Sequence, residues 1–121
     1  MSSNSYRFRC NEFANIDDRI SGLVFILNYI GIKTVKSCQG HLDGCRHPYP
    51  WICIDGKDKC RLKKLIESFN KNSEVEWGVE MDLTTKQWLL KPKVSAIGRN
   101  SLFQLQSSSM ELAHFLIKKS M

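Results

Sequence analysis

Three prolines and seven glycines in 121 residues are too few for a collagen-like or linker-rich chain. No internal repeat and no low-complexity tract is visible, which excludes solenoids and arrays. No apolar run approaches the length that spans a bilayer, so no membrane association is expected. The opening Met-Ser-Ser-Asn-Ser-Tyr has neither a basic flank nor an apolar h-region, and no signal peptide is expected. The expected compartment is the cytoplasm. Five cysteines, at 10, 38, 45, 53 and 60, are an odd number, which argues against a closed disulfide framework. Acidic residues are in the minority, 12 against 18 lysines and arginines, so the net charge is +6. Such a basic surface attracts phosphates and RNA, or simply keeps the protein in solution.

What is present suffices for one domain over residues 1–121, with a hydrophobic core that needs no staples. The polar residues 1–5 are expected to fray. Tyr6–Phe13 begins with strand-like alternation. Ile16, Ile20, Leu23, Val24, Leu27 and Ile30 recur at helical spacing, with Asn15 as N-cap and Gly31 as the stop. Phe25 and Ile26 widen the apolar face and predict a well-buried helix. Ile32–Cys38 and Trp51–Asp55 read as strands, the second buried on both faces because Trp-Ile-Cys-Ile is continuously apolar. Residues 58–71 read as a helix with Leu62, Leu65, Ile66 and Phe69 inward. Val75–Leu83 and Lys86–Leu90 suggest a hairpin, and Leu102–Leu105 a further strand. The pattern Ser108-x-x-Glu111 opens the last helix as a capping box. Helices interspersed among strands predict an α/β fold. The expected form is a two-layer sandwich, a mixed β-sheet with about three helices packed mainly on one face.

The richest chemistry lies in Ser-Cys-Gln-Gly-His-Leu-Asp-Gly-Cys-Arg-His, residues 37–47, between two strands. Three readings stay open there. Cys38, His41, Cys45 and His47 are four zinc ligands within ten residues, although their spacing is no standard finger. Cys38 at a strand end with His41 three residues on is a thiol–imidazole pair suited to nucleophilic catalysis. Ser37, Gln39, the Gly40 amide and His41 converge as donors in one tight turn. With Lys36 and Arg46 nearby, that turn suits a phosphate or carboxylate ligand.

Tyr49, between Pro48 and Pro50, and Trp51, just after them, flank the turn, where either ring can stack on a base or join the core. Asp43 and Asp55 border the loop and can orient its histidines. Trp77 and Trp88, with Lys86 and Lys91, have the residue types of a single-strand binding face, but a core role is the stronger expectation. Cys53 is expected in the core, and His114 is expected to be structural.

The segment from Asn15 to His41 resembles the wybutosine-synthesis family that performs the N-methylation step on the tricyclic base of phenylalanine tRNA. The matching pieces are Asp17, Leu23-Val24, Asn28, Thr34 and Ser37-Cys38-Gln39-Gly40-His41. The family's Ser-Ser-Cys becomes Lys36-Ser37-Cys38, and its arginine becomes His41. The chain is also similar to short bacterial and phage-type proteins with a Ser-Cys-x-Gly-His segment. The resemblance implies a small α/β fold, a site at Ser37–His41, and S-adenosylmethionine or a nucleotide as the associated molecule.

The expectation is therefore a nucleotide- or RNA-binding domain, with RNA methylation as its enzymatic version. Lys36, Ser37, Gln39, Gly40, Arg46 and Tyr49 would bind the ligand, and Cys38 and His41 would be its reactive pair. The alternatives are a zinc protein using Cys38, His41, Cys45 and His47, and a non-catalytic phage or host regulator that binds a protein partner.

Overall fold

A computed structural model describes residues 11–12, 18–40 and 49–120. The elements run β1 (Asn11–Glu12), α1 (Asp18–Tyr29), β2 (Thr34–Cys38), β3 (Trp51–Ile54), α2 (Lys59–Asn70), β4 (Trp77–Asp82), β5 (Gln87–Pro92), α3 (Val94–Ile97) and α4 (Leu102–Ser120). A single 3-10 turn, Gly56–Asp58, precedes α2.

Helix α1 forms because Ile20, Leu23, Val24 and Leu27 fall on one stripe, and all four are buried. It ends in a Schellman motif. Gly31 takes φ +91°, its N–H donates to the Asn28 carbonyl, and the Ile32 N–H donates to the Leu27 carbonyl. Arg61 Nη2, reaching over from α2, donates to the leftover Ile30 carbonyl at 2.6 Å. Asn28 then ties the helix to the next strand. Its amide nitrogen donates to Val24 O and Thr34 Oγ1, and its oxygen accepts from the Thr34 N–H. Phe25 departs from expectation: it is 67% exposed, because it lies on the side of α1 away from the core stripe.

The strands form one sheet in the order β1-β2-β3-β5-β4. Every ladder is antiparallel, which corrects the expectation of a mixed sheet. The continuous apolar run Trp51–Ile54 does mark burial on both faces, but burial on both faces does not require parallel neighbours. Ile52, Ile54, Trp77, Val79 and Leu90 face the helices and form the main core with α1, α2 and α4. The opposite face carries a second cluster of Cys38, Trp51, Cys53 and Leu89, with Tyr49 packed against it. The architecture is thus a two-layer α/β sandwich with an additional apolar patch on the outer sheet face.

Two local expectations fail around α4. Leu102–Leu105 is the first turn of that helix rather than a strand. The capping box is Ser101-x-x-Gln104: the Ser101 N–H donates to Gln104 Oε1, and the Gln104 N–H donates to Ser101 Oγ. Ser108 lies in the helix interior, where its buried hydroxyl accepts from Trp77 Nε1 at 2.9 Å. The β4–β5 hairpin forms as expected and closes through Lys86 at φ +63°. The short helix α3 has no signal in the hydrophobic pattern. No helix among the described residues is long and apolar enough to cross a membrane.

Candidate functional site

The turn after β2 is held by both neighbouring helices. The Arg19 N–H, in the first turn of α1, donates to Gln39 Oε1 at 3.0 Å. Gln106 Nε2 of α4 donates to the Gln39 carbonyl at 3.0 Å. Ser109 Oγ, whose proton goes to the Gln106 carbonyl at 2.6 Å, also lies 3.3 Å from the Arg19 carbonyl and so brings α4 against α1. Gly40 takes φ +91° and packs so closely that a Cβ there would lie 2.7 Å from the Tyr49 carbonyl carbon and 2.8 Å from Leu102 Cδ1. Its N–H donates to Cys38 Sγ. Glycine is required twice over, for its left-handed backbone and for the absence of a side chain.

The expected site residues are therefore used unequally. Ser37 is 2% exposed and lies opposite Ile52, on the helix-facing side of the sheet. Cys38 is fully buried, and the Gly40 amide is engaged by its sulfur. These three residues build the turn, and a ligand reaches them only if the turn changes shape. Gln39 is half-buried with its carbonyl and side-chain oxygens engaged. His41, Cys45, Arg46 and His47 lie outside the described residues, as do Asp43 and the strand-like Tyr6–Cys10. Of the four zinc ligands only Cys38 is described. No group of three or more metal-ligating side chains occurs among the described residues. Asp55 is spent locally, accepting from the Lys57 N–H to cap the 3-10 turn.

Lys36 and Tyr49 sit differently. Lys36 pairs with Cys53 across the β2–β3 ladder and is half-buried on the outer sheet face. Tyr49 is half-buried against the outer cluster, and Lys91 Nζ lies 5.3 Å from its ring centroid. The Lys91 side chain is 13% exposed and pairs with Glu80 at 3.5 Å, leaving Glu80 as its more exposed partner. Lys91 is the residue that sequence reasoning missed here. The alternation Leu89-Leu90-Lys91 puts it on the face opposite Leu90, but only the β3–β5 pairing brings that face to Tyr49.

Cys53 lies beneath this face. Burial pushes its thiol above the usual range; the nearby Lys36 ammonium acts against that shift and Asp82 adds to it. It is therefore a poor nucleophile, whereas Cys60 is exposed on α2. Alkylation of the native protein near neutral pH is expected to modify Cys60 and spare Cys53 until unfolding. Mapping of the labelled peptides by mass spectrometry checks this, and equal labelling would contradict the burial of Cys53.

The tryptophans separate. Trp77 is fully buried, as the core reading expects. Trp88 is half-buried at the other end of the sheet, opposite Ile54. His114, expected to be structural, is exposed on α4. It lines an open groove of about 430 Å³ between α2 and α4 with Phe69, Glu111 and Phe115, away from the turn.

Comparison with known proteins finds no matching family model, no matching curated protein and no matching solved structure. The functional reading therefore stands on the geometry of this chain.

Proposed function

We propose that the protein binds an anionic nucleotide-like or RNA ligand on the outer sheet face, beside the Ser37–His41 turn. The observation that carries this reading is Lys91 Nζ poised over the Tyr49 ring on the face that also bears Lys36. An aromatic ring offers a stacking platform, and two ammonium groups offer charge for a phosphate, which would take the place of Glu80 on Lys91. Low exposure of Lys91 favours strong interactions, since a partly desolvated charge is less screened than a surface one. In this reading Ser37, Cys38 and Gly40 shape the turn rather than touch the ligand.

Methyl transfer is the enzymatic version suggested by the family resemblance. The Gly40 turn is filled by Leu102 and the Tyr49–Pro50 backbone, so it offers no cradle for S-adenosylmethionine at that point. The reading is accordingly one of binding.

Titration with a mixture of nucleoside 5′-monophosphates, followed by isothermal calorimetry, tests it. Lys91→Ala is expected to weaken binding at least tenfold, because a charge-assisted hydrogen bond contributes roughly 1.5–3 kcal/mol. Unchanged affinity in a folded Lys91→Ala variant would remove Lys91 from the site.

A specific observation favours a second reading, that of a protein-interaction module. Phe25 and Tyr29 on α1 stack at 6.4 Å between ring centroids and are 67% and 68% exposed. Phe103 and Met110 on α4 are exposed as well, and Met110 Sδ approaches Gly22 of α1. Exposed aromatic groups of this kind mark protein contacts. Absence of any nucleotide heat in the same titration would leave this reading ahead.

A further inference from the structure

A second basic surface lies at the opposite end of the strands, on the helix side. Residues 57–64, Lys-Asp-Lys-Cys-Arg-Leu-Lys-Lys, carry five cations and one carboxylate, a net +4 of the chain's +6. Arg61 is committed to the Ile30 carbonyl, and the Asp58 carboxylate accepts from the Lys33 N–H. Lys59 and Lys63 are one helical turn apart, and their ammonium groups lie 5.0 and 5.2 Å from the centroid of the same ring, that of Trp88. Like charges four residues apart repel on a bare helix, so their convergence is held by the ring face. Neither lysine forms a salt bridge among the described residues. The 3-10 turn carrying Lys57 abuts the same indole, since a Cβ on Gly56 would lie 3.0 Å from Trp88 Cδ1.

We propose that this surface binds the sugar-phosphate backbone of single-stranded nucleic acid, with phosphates taken between Lys59 and Lys63. Two converging ammonium groups, neither within salt-bridge distance of a carboxylate among the described residues, form a seat for anionic oxygens. As the ammonium groups turn toward phosphate they uncover the indole, on which a base can stack. Neutralising successive phosphates favours an extended polyanion over an isolated ion, and the aromatic platform favours nucleic acid over an anionic lipid surface. The surface is independent of the Lys36–Tyr49–Lys91 face: Trp88 pairs with Ile54, whereas Cys38 and Trp51 pair at the far end of β3. Failure of either site leaves the other standing.

Fluorescence anisotropy with a 5′-labelled ten-nucleotide oligouridylate tests the proposal across a salt series. The wild-type protein should bind at low salt. The double variant Lys59→Ala/Lys63→Ala should bind at least tenfold more weakly, with its logarithmic salt slope reduced by about 1.4, roughly 0.7 for each lost phosphate contact. Lys59→Arg/Lys63→Arg should retain binding, and Lys118→Ala, on α4, should bind as the wild type does. Tryptophan emission should change on binding, since Trp51 and Trp77 are nearly or fully buried and Trp88 is the responsive ring. No oligonucleotide binding at low salt would overturn the proposal. So would an unchanged salt slope in the folded Ala/Ala variant, or an equal loss in Lys118→Ala. Binding to phosphatidylserine vesicles without binding to the oligonucleotide would assign the surface to membranes and overturn it as well.

Discussion

Gly40→Ala is expected to destabilise the protein by about 3 kcal/mol. A left-handed backbone costs an alanine roughly 1–2 kcal/mol, and forcing a methyl group into a filled space costs roughly 1–3 kcal/mol. Both terms apply. Gly40 has φ +91°, and its missing Cβ would press on the backbone of Tyr49 and Pro50 at 2.7 and 3.0 Å, as well as on Leu102. Backbone cannot rotate away as a flexible side chain can. The expected melting-temperature loss is on the order of 10 °C for a domain of this size. Two other glycines provide the scale. Gly31 shares φ +91°, but its nearest contact is the end of the Arg61 side chain at 3.4 Å, so Gly31→Ala should cost only the backbone term, about 1–2 kcal/mol. Gly98 has φ −75° and nothing within 4 Å, so Gly98→Ala should be nearly neutral. Thermal denaturation of the three variants reads the order directly. A Gly40 variant as stable as the Gly98 variant would mean that the turn does not pack as described.

The second large effect is at Trp77. It is fully buried in the main core, and its Nε1–H donates to Ser108 Oγ within the helix layer. Trp77→Ala is expected to cost about 3–5 kcal/mol, a large part of the stability of a domain this size. Ser108→Ala alone leaves a buried N–H unsatisfied and should cost about 1–3 kcal/mol. In a Trp77→Phe background the same serine substitution should cost much less, because the donor is already gone. Urea denaturation of the four proteins in this cycle measures the coupling. Additive effects would show that the Trp77–Ser108 bond contributes nothing.

Much of this fold is legible in the sequence, and the failures have physical causes. Helix α1 is announced by Ile20, Leu23, Val24 and Leu27 together with the Gly31 stop. Strand β3 is announced by its unbroken apolar run. The start of α4 misleads because Leu102-Phe103-Gln104-Leu105 has too few residues to separate a period of 2 from 3.6, and because two serine-led capping patterns lie seven residues apart. Hydrogen bonding decides for Ser101. Phe25 misleads because hydrophobicity locates the apolar positions of a helix without saying which of them meet a neighbour.

The site is legible only in part. The turn at Cys38–Gly40 is marked by its composition, but that composition serves packing as well as chemistry. Gly40 is there for close approach, and Gln39 for two long-range hydrogen bonds to α1 and α4. The partner of Tyr49 could not be read from its neighbours. Lys91 is 42 residues away, and only the sheet order β3-β5 places the two together. Likewise, Lys59 and Lys63 read as a solvated helix face until Trp88 is found beneath both.

The proposed site on the outer sheet face beside the turn would hold an anionic, nucleotide-like ligand. Amide chemical-shift mapping of the ¹⁵N-labelled protein, titrated with the nucleoside 5′-monophosphate mixture, tests it most directly. The proposed site predicts saturable shifts at Lys36, Tyr49, Trp51 and Leu89–Lys91, and their loss in Lys91→Ala. Shifts confined to the α2–α4 groove around His114, or none at millimolar nucleotide, would contradict it.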